Sequence, residues 1–285
     1  SSEVSMADSA VTVTGSIDKS KVDALRQTTT GNVTVVDLTE DKADLATIAS
    51  YTDVILSSTN ITVTDDVNKS DVDTINTYND AGGVVTVSSI TDNFSNISTV
   101  QGTAGISIGT ALITATDAVT LDNANSLNGF TNAQVTLNAV QDTVSNITSI
   151  DGLTTSDVSM AAAAVTVTDA ASLANANAIN NFTKGKVTLN SVEDHYAKIQ
   201  DIKSIADGEV DMGAAVVKVS DNVTKTEVDD LRTDTSGNIT LTSLTEDKGD
   251  LATINGFTDV ILSTANITVT DLSLIHISEP TRPRL

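Results

Sequence analysis

The chain has 285 residues, no cysteine, no tryptophan, 2% aromatic residues and a formal net charge of -23. Charge of that sign argues against a sequence-independent grip on nucleic acid or anionic lipid. The lack of cysteine excludes disulfides and thiolate metal sites, and no apolar run approaches the roughly 20 residues that span a bilayer. Small branched side chains without large rings make a thin core, which suits stacked β layers better than a rounded enzyme core.

Taken in chain order, the first strand-like string is VTVTG at Val11. Relatives begin at Ile61, Ile113, Val165, Val217 and Ile267, at spacings of 50, 52, 52, 52 and 50 residues. After each comes a helical string with paired apolar residues, such as Val22 and Leu25, Val72 and Ile75, or Val228 and Leu231. Asp18, Asn68 and Thr224 stand where N-caps belong, and Thr224 with Glu227 fits a capping box. A second strand follows at Val33, Val85, Val135, Val187 and Ile239. Then come strings such as TEDKADLATI at Thr39, whose apolar residues (Leu45 and Ile48, Ile199 and Ile202) predict a second amphipathic helix about three turns long. A third strand at Val54, Ile106, Val158, Val210 and Val260 precedes the next first strand by seven residues each time. The corners between them carry small residues (SSTN at Ser57, AAAA at Ala161, GAAV at Gly213), which predicts a packed bend between sheet faces.

Strands joined through helices run parallel, and a unit that buries one face needs its neighbours. The predicted fold is therefore a β/α solenoid whose repeats of about 50–52 residues read strand, helix, strand, helix, strand. The alternative is a β-solenoid with irregular loops in place of helices. Residues 1–271 form one array of five full repeats starting near 11, 61, 113, 165 and 217, with partial repeats at both ends. The string LSLIHISEPTRPRL at 272–285, which holds both prolines of the chain, breaks the pattern. It resembles the conceptual translation of a sequencing-library adapter, so it is set aside as non-native read-through on a fragment of a longer, metagenomic protein.

No catalytic constellation emerges, and no enzyme activity or cofactor is expected. His195, the single histidine outside the tail, reads as a solvent-facing residue on a second helix. Asp65, Asp117, Asp169, Asp221 and Asp271 close successive first strands. They read as strand ends favouring helix N-termini, with a stacked row holding Ca²⁺ as the sharper alternative. Thr12 and Thr14, Thr62 and Thr64, Thr114 and Thr116, Thr166 and Thr168, and Thr268 and Thr270 form a T-x-T pattern on one strand face. Such ladders resemble the ice-binding faces of some β-solenoid antifreeze proteins, although Lys218 and Ser220 interrupt this one.

The repeats, VTVTDAASLANANAINNFTKGKVTLNSVED and their relatives, resemble the Thr-, Asp- and Ala-rich arrays of very large exported proteins of marine bacteria and cyanobacteria, often grouped with adhesins. That resemblance implies a structural or adhesive role at the cell surface or outside the cell. The partners it implies are neighbouring repeats of the same chain and a surface or extracellular glycan, with no nucleic acid and no membrane insertion. A ligand-binding face for ice, carbohydrate or Ca²⁺ is the alternative.

Overall fold

The computed structural model describes residues 6–80, 82–153, 158–205 and 209–271; the string at 272–285 lies outside them. Among the described residues sixteen strands and ten helices alternate. Repeat one holds β1 (Val11–Ile17), α1 (Lys19–Arg26), β2 (Val33–Glu40), α2 (Lys42–Ala49) and β3 (Val54–Ile55). Repeat two holds β4 (Asn60–Val67), α3 (Lys69–Tyr78), β5 (Val85–Asp92), α4 (Phe94–Gly102) and β6 (Ile106–Ser107). Repeat three holds β7 (Leu112–Val119), α5 (Leu121–Phe130), β8 (Val135–Asp142), α6 (Val144–Leu153) and β9 (Val158–Ser159). Repeat four holds β10 (Ala164–Ala171), α7 (Leu173–Phe182), β11 (Val187–Asp194), α8 (Tyr196–Lys203) and β12 (Val210–Asp211). Repeat five holds β13 (Val216–Val223), α9 (Lys225–Asp234), β14 (Ile239–Glu246), α10 (Lys248–Asn255) and β15 (Val260–Ile261), and β16 (Asn266–Val269) follows. This is the expected β/α solenoid-like repeat, with helices rather than irregular loops between the strands.

The chain divides into two compact units, Ser1–Val165 with Phe182–Gly185, and Thr166–Asn181 with Lys186–Leu285. In the first, β1, β2, β4, β5, β7 and β8 are parallel neighbours in that order, with β3, β6 and β9 beside β2, β5 and β8. In the second, β11, β13 and β14 are parallel neighbours, with β12 beside β11 and both β15 and β16 beside β14.

Pairing explains the corners and corrects the expectation for them. β3 lies against the start of β2 (Val33 opposite Val54), and β4 lies against its end (Leu38 opposite Ile61). The chain therefore leaves β3, makes one tight turn in which the Thr59 N–H donates to the Leu56 carbonyl at 2.8 Å, and resumes along the same neighbour in the same direction. Ala111, Ala163 and Ala215 close the same turn on Ile108, Met160 and Met212. The corner is a jog within one sheet, not a bend between faces. Small residues suit it because the next turn packs directly over it: a Cβ on Gly83 would strike the Thr59 carbonyl, and one on Gly237 the Ala215 carbonyl.

The jog staggers successive repeats along the strand direction. Ile17, Leu38, Ile61, Val85 and Ile106 form one cross-strand row, and Val67, Ile90, Ile113, Val135 and Val158 form the next. Equivalent first-strand residues have equivalent neighbours: Ile61 lies between Leu38 and Val85, Ile113 between Ile90 and Val135, and Val217 between Val192 and Ile239. On the opposite side of the core, buried helix pairs three apart (Leu45 and Ile48, Val72 and Ile75, Ile97 and Val100) cover these rows. Each such side chain contributes about 1.5–3 kcal/mol on full burial, so the thin core gains its stability by repetition.

Two boundaries differ from the sequence reading. The second strands run eight residues, through Glu40, Asp92, Asp142, Asp194 and Glu246, and so absorb the first residues of the strings expected to be helical. The second helices are correspondingly eight to ten residues long. The acidic residues that end the second strands then serve the neighbouring helices.

Candidate functional site

A helix leaves its first N–H groups without intrahelical partners. Here two sources supply acceptors. The first is the local N-cap: Asp18 accepts from the Lys21 N–H, Asp41 from Asp44, and Asn93 from Asn96. Thr224 and Glu227 form the expected capping box, and Asn68 forms another with Asp71. The second source is a carboxylate from the next position in the sheet, aimed at the first helical N–H.

For first helices that carboxylate ends the second strand of the same repeat. Asp92 accepts from the Lys69 N–H at 2.9 Å, Asp142 from Leu121 at 2.9 Å and Asp194 from Leu173 at 3.0 Å. Glu40 and Glu246 accept likewise from Lys19 and Lys225. For second helices it is the row flagged as a Ca²⁺ candidate. Asp65 accepts from the Lys42 N–H at 3.0 Å, Asp117 from Phe94 at 2.8 Å, Asp221 from Tyr196 at 2.8 Å and Asp271 from Lys248 at 3.0 Å. Each caps a helix of the repeat before its own.

The Asp row does not close its strands as expected. Asp65, Asp117, Asp169 and Asp221 lie two residues inside β4, β7, β10 and β13. In β4, β7 and β13 they sit where the register shifts: Val63 to Asp66, Ala115 to Ala118 and Val219 to Asn222. A bulge re-aims a side chain out of the strand's alternation, and here it turns the carboxylate onto the helix start. Negative charge beside a helix N-terminus is favourable. Among the described residues, no group of three or more His, Asp or Glu side chains is gathered to share a metal ion.

Electrostatics follow the same geometry. Partial burial raises the pKa of Asp92, but the N–H groups of Lys69 and Asn93 and the Asn96 amide outweigh it, and the carboxyl sits below its ordinary value. Asp142 and Asp194 are held low in the same way, by Leu121 and Leu173 among others.

The threonines line the face opposite the helices. The first of each pair joins a cross-strand row: Thr39, Thr62, Thr86 and Ser107 lie side by side, as do Thr91, Thr114, Thr136 and Ser159. Thr12 pairs with Thr34, and Thr268 with Thr245. Thr166 is half-buried and Thr168 exposed. The second of each pair does not continue a ladder. Thr64 and Thr116 fall in the bulges, outside the paired register, as does Thr14 between Val13 and Ser16, and Thr270 follows the end of β16. In repeat five, Lys218 takes the row position and pairs with Glu193 at 2.6 Å.

His195 is not on a helix. It is the exposed N-cap residue of α8 and makes no side-chain capping bond.

Sequence reasoning missed a buried polar residue in the turn after each first helix. The hydroxyls of Thr29, Thr131, Thr183 and Thr235 donate to the carbonyls of Ser9, Ala111, Ala163 and Ala215 at 2.5–2.7 Å. In repeat two the Asn79 amide donates to Thr59 at 3.1 Å. The signal was present as a Thr four residues before the second strand in four repeats of five, but it reads as loop until the units are aligned.

No helix among the described residues is long and apolar enough to cross a membrane. Compared with protein-family models, with curated proteins and with solved structures, the chain has no significant match.

Proposed function

We propose that this chain is a structural and adhesive repeat segment of a large bacterial surface or secreted protein, without catalytic chemistry of its own. The observation that carries the reading is where recurrent chemistry goes. The carboxylates at the strand ends and bulges, and the polar residue after the first helix, recur at equivalent positions. All of them bond backbone groups of a neighbouring strand or helix. Repetition of that kind extends an array and leaves no position singled out for turnover. The acidic composition fits a surface kept soluble outside the cell.

The test is to recover the source gene and raise antibodies against residues 6–271. The reading expects further units of about 52 residues in place of 272–285, and labelling of intact cells or of culture medium. Labelling that appears only after lysis would overturn it.

The half-exposed hydroxyl rows favour a second reading, a ligand-binding face. Carbohydrate suits it better than ice. A lattice match needs both threonines of each pair in a flat, continuous ladder, whereas the bulges and the Lys218–Glu193 pair interrupt it. Thermal hysteresis by the folded chain would reverse that preference.

A further inference from the structure

The connection from first to second strand is the same length in every repeat but one. Repeat two separates its first and second strands by 24 residues, from Ile61 to Val85, against 22 in the other four, and the extra length falls in the segment Asn79 to Val84. Elsewhere the turn after the first helix donates an N–H to the second corner residue: Asn132 to Gly109, Lys184 to Ala161 and Ser236 to Gly213. At this joint the bond is reversed, and the Ser58 N–H donates to the Asn79 carbonyl at 3.0 Å. Ser58 and Asp80 take left-handed backbone, with φ of 73° and 51°, and they are the only non-glycine residues to do so among those described. Strained backbone of this kind persists where the surroundings hold it in place, and it clusters at binding sites.

Asp80 borders a cavity of about 360 Å³, and Ser58 directly follows another of its lining residues, Ser57. Its wall of Val54 and Ile55 comes from β3, Ser57 lies at the corner, and Thr77, Tyr78 and Asp80 come from the end of α3 and the turn after it. Tyr78 is half-buried, while Ser57, Thr77 and Asp80 are exposed.

We propose that this cavity is a binding site for one pyranose ring of a neutral glycan. The volume lies at the small end of the range for ligand pockets, roughly 300–1,000 Å³, which suits a single ring. A sugar ring offers an apolar C–H face and a rim of hydroxyls. An aromatic side chain is amphipathic in the matching sense, and a carboxylate with neighbouring hydroxyls supplies acceptors and donors for the rim. A chain of net charge -23 with Asp80 at the mouth disfavours an anionic sugar. The proposal rests on the adhesive half of the reading above and gives it one specific location.

Saturation-transfer NMR on the whole chain tests it, with methyl glycosides of glucose, galactose and mannose as probes and methyl glucuronide as the anionic control. At least one neutral glycoside takes up saturation, and the glucuronide does not. Tyr78→Ala abolishes the transfer. Asp80→Asn, which keeps a residue tolerant of left-handed backbone, weakens binding about tenfold, equivalent to about 1.4 kcal/mol. If Tyr78→Ala fails to fold, Asp80→Asn decides. The proposal is overturned if none of the three neutral glycosides is saturated, if binding survives both substitutions, or if the glucuronide binds as well. Such a failure leaves the spacer reading intact, since that is judged by labelling of intact cells.

Discussion

Repeats one and five join their first helix to their third strand differently from the three repeats between them. At the end of α1, Arg26 Nε donates to both carboxylate oxygens of Asp53, at 2.9 and 2.8 Å, and its guanidinium lies 3.6 Å from the centre of the Tyr51 ring. Arg232 repeats this with Asp259, at 3.0 and 2.8 Å, and with Phe257 at 3.7 Å. Repeats two, three and four carry Asn76, Asn128 and Asn180 at that helical position, and their Oδ1 atoms are buried without a hydrogen bond from the described residues. At the partner position Asp53 and Asp259 face arginines, Gly105 stands near Asn76, and Glu209 accepts from the Asn180 amide at 3.0 Å. The helix residue therefore varies independently of the acid: repeat three has Asp157 at the partner position with Asn128 on its helix, and only repeat two, with Gly105, lacks an acid there. Repeats one and five also share the long segment TEDKADLATI/TEDKGDLATI, which fits copying of whole units together with their clamps.

Acid should affect both kinds of repeat, through different carboxylates, and is the largest effect expected. Arg26 and Arg232 hold Asp53 and Asp259 below the ordinary value of 3.8, and helix N–H groups do the same for Asp92, Asp142 and Asp194. A carboxyl whose folded pKa lies below its unfolded one stabilises the fold fully above the unfolded value and loses that contribution as pH falls through the folded value. The thermal midpoint is thus level from neutrality to about pH 5 and falls as pH drops below about 4, by roughly 2–4 °C for each kcal/mol lost. A triple variant with Asp92, Asp142 and Asp194 changed to Asn loses the helix-cap part of that fall and keeps what the clamps and the other lowered carboxyls, Asp18, Asp23 and Asp211, contribute. A midpoint unchanged at pH 2.5 would show that neither set of carboxylates holds the fold.

Breaking a clamp comes next. Arg26→Ala loses a two-point ion pair, a ring contact and the packing of the arginine stem, at a cost of about 1–2 kcal/mol in urea unfolding. Asn76→Ala costs less than about 0.5 kcal/mol, because its oxygen has no donor to lose. Equal effects would erase the distinction between the two kinds of repeat.

The capping row tests the joints that all repeats share. Asp117→Ala removes the acceptor for the Phe94 N–H and costs about 1 kcal/mol, at any calcium concentration. If millimolar Ca²⁺ raises the midpoint of the parent chain and not of the variant, the row is a metal site as well.

Periodicity made the fold legible: apolar residues two apart in strands and three apart in helices are local signals, and copying repeats them five times. The stagger was not legible, because the jog that produces it depends on which half of β2 faces β3 and which faces β4, a long-range pairing. The role of Asp65, Asp117 and Asp221 was half legible. Their affinity for helix N-termini follows from charge, but the helix belongs to the repeat before, and only the bulge turns them toward it. The Thr rows were legible as a face and illegible as a ladder for the same reason, since Thr64 and Thr116 share those bulges.

The smallest effect expected is also the sharpest test of the comparison, because it adds a clamp instead of removing one. Asn180→Arg places a guanidinium where Glu209 already accepts a hydrogen bond, so the new pair forms with its acid in place. It lacks the ring that Tyr51 and Phe257 provide, which limits the gain to about 0.5 kcal/mol, within the range for half-exposed ion pairs. Asn76→Arg gains nothing, because Gly105, at φ of 80°, offers no carboxylate. A shift in the urea midpoint for Asn180→Arg and none for Asn76→Arg would make the acidic partner the deciding element. The same gain in both would assign it to helix propensity, which favours arginine over asparagine wherever it stands.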